Sequence, residues 1–152
     1  MATTPVTGDG YRRKGCRVST STGYQASIAN ASEVTILVNS SSFASDCFDD
    51  DTMLDAVNHN IVIKKDGRYE VGATAAFPAN ATGQRWIIVG TTGVNYAAFR
   101  VETNTGASII KYTTVSTVVN LVKDNTVHFR LLQNSGATQT VTSLRLYVQE
   151  VG

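Results

Sequence analysis

Few residues in this 152-residue chain have the types that do chemistry, and their spacing narrows the choices at once. The two histidines, His59 and His128, are far apart, and His128 alternates with Val127 and Phe129, so its ring points away from their face. There is no serine elbow, histidine–glutamate zinc motif or phosphate loop, so no local nucleophile–base pair can be read, and no catalytic residue is expected. Cys16 and Cys47 lack CxxC spacing and a nearby histidine set, which speaks against a zinc site. Asp46, Asp49, Asp50, Asp51 and Asp55 form the densest carboxylate cluster. Hard oxygen ligands at this density suit calcium, but the EF-hand spacing and its glycine are missing. The preferred reading is a loop in which aspartates cap a short helical turn over 51–56. No metal or other cofactor is expected.

The aromatic and basic residues suggest binding. Trp86 beside Arg85, with Tyr96 and Phe99, could form a platform for sugars or bases, yet single aromatics inside alternating runs more often serve a core or an interface. Arg12, Arg13, Lys14 and Arg17 place four positive charges within six positions, after ten residues without periodicity. Such a segment is either a solvated terminus or an arm that orders against an acidic partner, with Tyr11 as its apolar anchor. The division this implies is an attachment arm over 1–18 and a folded domain over 19–152.

The elements that would position these residues are strands. Glu33 to Val38, Ile61 to Lys65, Tyr69 to Phe77, Gln84 to Thr91, Val94 to Glu102, Thr113 to Val122, Thr126 to Gln133 and Thr140 to Val151 alternate or are β-rich. Asp66-Gly67, Pro78, Lys123-Asp-Asn and Asn134-Ser-Gly-Ala punctuate them. About eight strands at this spacing define an all-β sandwich or barrel.

Composition sets outer limits. Hydrophobic residues are 42% of the chain, enough for one core, while charged residues are only 16%. Thirteen Lys and Arg against twelve Asp and Glu give a net charge of +1, so no field of one sign is available for nucleic acid or a membrane surface. No apolar run approaches the roughly 20 residues of a membrane-spanning helix, and the first ten residues lack an export pattern. The expected place of synthesis is therefore a cytoplasm, where thiols stay reduced.

The strand faces ask for a partner. Leu144, Leu146 and Val148 form a core face, whereas Arg145, Tyr147 and Gln149 share the other, an aromatic–arginine mixture typical of interfaces. Opposite Tyr69, Val71, Ala73, Ala75 and Phe77 lie Glu70, Gly72, Thr74 and Ala76, small for a solvent face. Thr113 to Val122 is apolar on both faces. Such strands need cover on both sides, and a second subunit is the expected cover.

The stretch from Phe43 to Val151 resembles the C1q/TNF-like jelly roll in the compact form found among phage virion proteins. Phe43 with the acidic Phe48 to Asp55 segment, Ile61-Val-Ile-Lys-Lys-Asp-Gly-Arg-Tyr69 running into Val71 to Phe77, and Asn80 to Arg85 followed by Trp86-Ile-Ile-Val carry the resemblance in co-linear order. Leu121 to Phe129 and Leu132-Gln-Asn-Ser-Gly136 complete it; Lys123-Asp-Asn125 departs from the usual glycine-led turn. The resemblance implies a homotrimer closed through the inner sheet, which on this chain places Glu70, Gly72, Thr74, Arg145 and Tyr147 at the threefold contact, with a Glu70–Arg145 ion pair across it.

The expected function is that of a bacteriophage structural protein, a trimeric capsid decoration (cement) protein on the capsid exterior. The major capsid protein would be its partner and Tyr11, Arg12, Arg13, Lys14 and Arg17 its attachment residues. The alternative is a tail-tip or fibre protein that binds a host-surface receptor or glycan through the Asn80–Gly83 and Asn134–Ala137 loops.

Overall fold

The computed structural model describes residues 14–19, 26–36, 47–80, 82–91, 94–101 and 111–151. The strands are β1 (Gly15–Ser19), β2 (Ala26–Ile28), β3 (Ser32–Thr35), β4 (Phe48–Asp49), β5 (Leu54–Asp55), β6 (Asn60–Val62) and β7 (Gly67–Phe77). They continue with β8 (Arg85–Thr91), β9 (Val94–Val101), β10 (Lys111–Leu121), β11 (Thr126–Gln133), β12 (Gln139–Val141) and β13 (Ser143–Glu150). All pairings are antiparallel. One sheet has the order β10-β7-β13-β1-β4; the other has the order β5-β6-β11-β8-β9, with β3 also on β11; β12 and β2 form a short separate pair.

Alternation decides which side of each strand is interior. Val71, Ala73, Ala75 and Phe77 of β7 and Leu144, Leu146 and Val148 of β13 meet Val127, Phe129 and Leu131 of β11 and Ile87 and Val89 of β8 in one core. The small alanines let the two layers close around Phe77 and Phe129, which are 1% and 0% exposed. Burying a phenylalanine of this kind contributes about 1.5–3 kcal/mol.

Two expectations change. Gly15 to Val18, expected in the arm, form with Ser19 a strand inside the first sheet, with Cys16 and Val18 in the core and all five residues paired to β13. The folded unit therefore begins ahead of residue 18; residues 1–13 lie outside the described residues. The run from Thr140 to Val151 is two strands, because at Thr142 the chain leaves its pairing with β2 and joins β7. Asp66-Gly67 turns the chain as expected and carries it from one sheet to the other, since β6 and β7 belong to different sheets. There Asp66 Oδ1 accepts the Lys123 amide at 2.7 Å, which ties this crossover to the 122–125 turn.

The sandwich has two dissimilar ends. Lys14, the 63–66 and 122–125 segments and Glu150 lie at one: Lys14 O accepts the Glu150 amide, and Ile63 exchanges backbone bonds with Asp124 and Asn125. The 29–31, 78–80, 82–84 and 134–138 segments lie at the other.

Candidate interaction surfaces

Cross-strand register arranges the outward residues of the first sheet in rows. The middle row is Ser116, Gly72, Tyr147, Arg17 and Phe48. Beside it run Thr114, Thr74, Arg145 and Ser19, and on its other side Val118, Glu70, Gln149 and Gly15. The five residues expected at a threefold contact thus share one face of two adjacent strands.

Contacts within the rows explain the residue types. Tyr147 lies over Gly72 so closely that a Cβ there would stand 2.6 Å from the ring Cζ. Only glycine leaves room for the ring in this position. The phenol donates to Glu70 Oε1 at 2.7 Å. Burial first, and then this bond to Glu70, raises the Tyr147 pKa above its ordinary 10.0. Thr74 and Thr114 share a hydroxyl bond of 2.8 Å, and Arg145 Nε donates to Ser19 Oγ at 3.4 Å. The Arg17 guanidinium stands 5.5 Å from the Phe48 ring centroid, a cation–π distance, while its Nε is buried with no hydrogen-bond partner. At the edge, Val118 is 47% exposed.

Of the expected attachment residues, Tyr11, Arg12 and Arg13 lie outside the described residues. Lys14 is engaged with Asp51, its Nζ 2.6 and 2.7 Å from the two carboxylate oxygens. Arg17 belongs to the sheet face. The aspartate cluster caps backbone: Asp49 Oδ1 accepts the Met53 amide at 2.6 Å, and Asp55 Oδ1 accepts the amides of Val57 and Asn58. Among the described residues no three metal-ligating side chains converge. Cys16 and Cys47 form no disulfide. Cys16 is fully buried and its pKa is driven far up, first by burial and then by Asp49, whereas Cys47 Sγ accepts the Ser19 amide at 3.0 Å.

His128 is on the outer face of β11, its Nε2 3.2 Å from Thr126 Oγ1, and burial followed by Arg130 lowers its pKa. Trp86 is half-buried on the outer face of β8, and the side chains of Tyr96 and Phe99 are outside the described residues.

The Asn80–Gly83 and Asn134–Ala137 loops do come together. Thr82 Oγ1 donates to Ser135 O at 2.6 Å, the Gln84 amide to Asn134 Oδ1 at 2.5 Å, and the Gly136 amide to Asn30 Oδ1 at 2.8 Å. Beneath them Gln133, fully buried, holds Ile28 O and Ala137 O through Nε2 and accepts the Ser135 amide and hydroxyl through Oε1. Arg85 lies here too, only 4% exposed. Alternation with Ile87 and Val89 puts it on the interior side of β8, so it shares no outer platform with Trp86.

Two packed antiparallel sheets with this strand order form a C1q/TNF-like jelly roll, and the resemblance of the sequence to that fold is upheld. The chain is similar in structure to the PRD1 vertex protein P5, with a TM-score of 0.63 and 18% identity over 91% of this chain and 97% of that one. It is also similar to an Eiger TNF from S. frugiperda (0.59, 8% identity, 92% and 93% covered). A third similar structure is the globular domain of a zebrafish complement 1qA protein (0.57, 13% identity, 88% and 94% covered). No family model and no curated protein sequence matches the chain.

Proposed function

We propose that this chain is a bacteriophage virion structural protein, a homotrimeric capsid decoration protein that binds threefold sites on the head and stabilises the shell. The observation that carries the reading is the outer face of the β10-β7-β13-β1-β4 sheet. It combines a ring laid on glycine, an arginine stacked on phenylalanine and an orphaned guanidinium nitrogen, all features of a surface awaiting a partner. Likeness of fold to a phage vertex protein supports the virion setting. A trimer fits a threefold site on a shell. Contacts spanning several capsid subunits favour the assembled shell by mass action, because only the shell offers the whole site.

Copy number tests the placement. Protein from purified virions, quantified against the major capsid protein, is expected at on the order of a hundred copies or more, as repeated threefold sites require. A few trimers per particle would instead support the tail-tip reading, which the converging 80–83 and 134–137 loops favour. Absence from virions would overturn both.

The trimer has its own test. Gly72→Leu lifts the Tyr147 ring from the sheet and roughens the contact face. The colliding atoms are the far end of a side chain, so the protomer still folds. Sedimentation is expected to give three times the chain mass for the natural protein and the single-chain mass for the variant. A Gly72→Leu protein that stays trimeric at low concentration would place the contact elsewhere. The proposed Glu70–Arg145 pair predicts that Arg145→Ala weakens the trimer more in low salt than in high salt.

A further inference from the structure

A buried arginine with no counter-charge among the described residues sits at the loop end. Arg85 opens β8 and, opposite Gln133 in register, faces the interior of the sandwich. Among the described residues its guanidinium makes one hydrogen bond, Nη2 to the Asn80 carbonyl at 3.1 Å, and its Nε is buried with no partner there. No acidic side chain pairs with it among the described residues. Burial alone lowers its pKa, with no carboxylate opposing that effect. Nearby, Gln133 is committed to Ile28 O, Ala137 O and Ser135, and the Oδ1 atoms of Asn134 and Asn30 accept backbone amides.

Holding a desolvated charge this way costs several kcal/mol per ion unless something compensates it. A guanidinium offers a planar fork of N–H donors, and the group that matches a planar fork with charge is a carboxylate. We propose that the loop end of the jelly roll is a binding site for a carboxylate-bearing small molecule, with the Arg85 guanidinium as its charge partner beneath the 78–80, 82–84 and 134–138 segments. This site is independent of the assembly surface, which lies on the outer face of the other sheet.

Thermal unfolding of the full-length protein in acetate and in chloride, at matched ionic strength, tests it. Arg85→Met keeps the apolar stem and removes the buried charge. The natural protein is expected to gain about 3–6 °C in acetate at ten times its Kd. Chloride, lacking the planar pair of oxygens, is expected to give less than half of that, and Arg85→Met neither shift. Without acetate, Arg85→Met is expected to melt at or above the natural protein, because an uncompensated charge has gone. The proposal is overturned if acetate shifts neither protein, shifts both equally, or does no more than chloride; water alone then serves Nε. It is also overturned if acetate has no effect while Arg85→Met lowers the oligomer mass, since the carboxylate then belongs to a second copy. Should Arg85→Met fail to fold, acetate binding to the natural protein and to Arg85→Lys by calorimetry decides the question. At least a tenfold loss of affinity in Arg85→Lys supports the fork, and equal affinity overturns it.

Discussion

Deleting residues 1–17 is expected to abolish folding, whereas deleting residues 1–13 leaves a folded jelly roll that no longer binds phage heads. The first deletion reaches into the sheet. It removes Gly15, Cys16 and Arg17, which pair with Gln149, Val148 and Tyr147 of β13 and, through Cys16 and Arg17, with β4. Cys16 is fully buried, and the Lys14 carbonyl that accepts the Glu150 amide goes with it. Each buried backbone group left without its ladder partner costs about 1–3 kcal/mol, and several are orphaned at once. Their sum rivals the roughly 5–15 kcal/mol that holds a domain of this kind together.

The second deletion spares every ladder partner of β1, so its thermal midpoint should stay within about 2 °C of the full chain. Circular dichroism melts of the two proteins, with sedimentation of the shorter deletion against purified heads, decide the matter. A 1–17 deletion that melts like the full chain would contradict the role of β1. Retained head binding after removal of 1–13 would clear Tyr11, Arg12 and Arg13 of attachment. It would leave only Lys14 and Arg17, both already engaged with Asp51 and Phe48.

The misplacement of β1 shows where the sequence falls silent. Gly15-Cys-Arg-Val-Ser19 offers two apolar positions for a period of two, and Arg17 between them continues a run of positive charge. Read locally, this is a basic tail. Only the register with β13 reveals that Arg17 is the outward residue of a strand. Strands β4 and β5, two residues each, are too short to carry any period. Longer strands were legible: β11 falls on Thr126–Gln133 as its alternation predicts, and the outward sets on β7 and β13 follow from parity alone.

Turn chemistry was legible as turning but not as destination. Asp66-Gly67 bends the chain as its residues require, yet the choice of sheet is made by Ile61 and Val62 pairing with β5 and β11 rather than with β7. The same holds at Thr142, where an unbroken β-rich run changes partners. For the candidate sites, parity put Tyr147 and Gly72 each on the outward face of its strand, but that the ring lies over the glycine needs the cross-strand register. Arg85 had interior parity in plain view. A buried charge contradicts what burial usually selects, so its position becomes meaningful only once its surroundings are known.

Replacing Gly83 is expected to damage the loop end far more than replacing Gly136, although both glycines adopt a left-handed backbone. Gly83 has φ +73° and Gly136 has φ +84°, a region that costs an L-residue roughly 1–2 kcal/mol. Alanine at either position meets that strain. The surroundings differ. A Cβ on Gly136 finds nothing within 4 Å, whereas one on Gly83 runs into the backbone of Asn134 and Ser135. Backbone cannot swing aside as the Tyr147 ring can, so the 82–84 and 134–138 segments must part.

Parting them breaks the Thr82–Ser135 and Gln84–Asn134 bonds and opens the cover over Arg85. Gly136→Ala should therefore lose about 1–2 kcal/mol, and Gly83→Ala about 3 kcal/mol or more, which corresponds to a fall of roughly 6–12 °C in thermal midpoint. Because both substitutions add the same methyl at the same kind of φ, the difference between them measures the collision alone. Denaturant melts of the two variants supply it, and equal losses would mean that the loops yield freely. The same pair links stability to binding. Gly136→Ala should keep the acetate response, and Gly83→Ala should lose it even at temperatures where the protein is still folded, since the cover that desolvates Arg85 is gone.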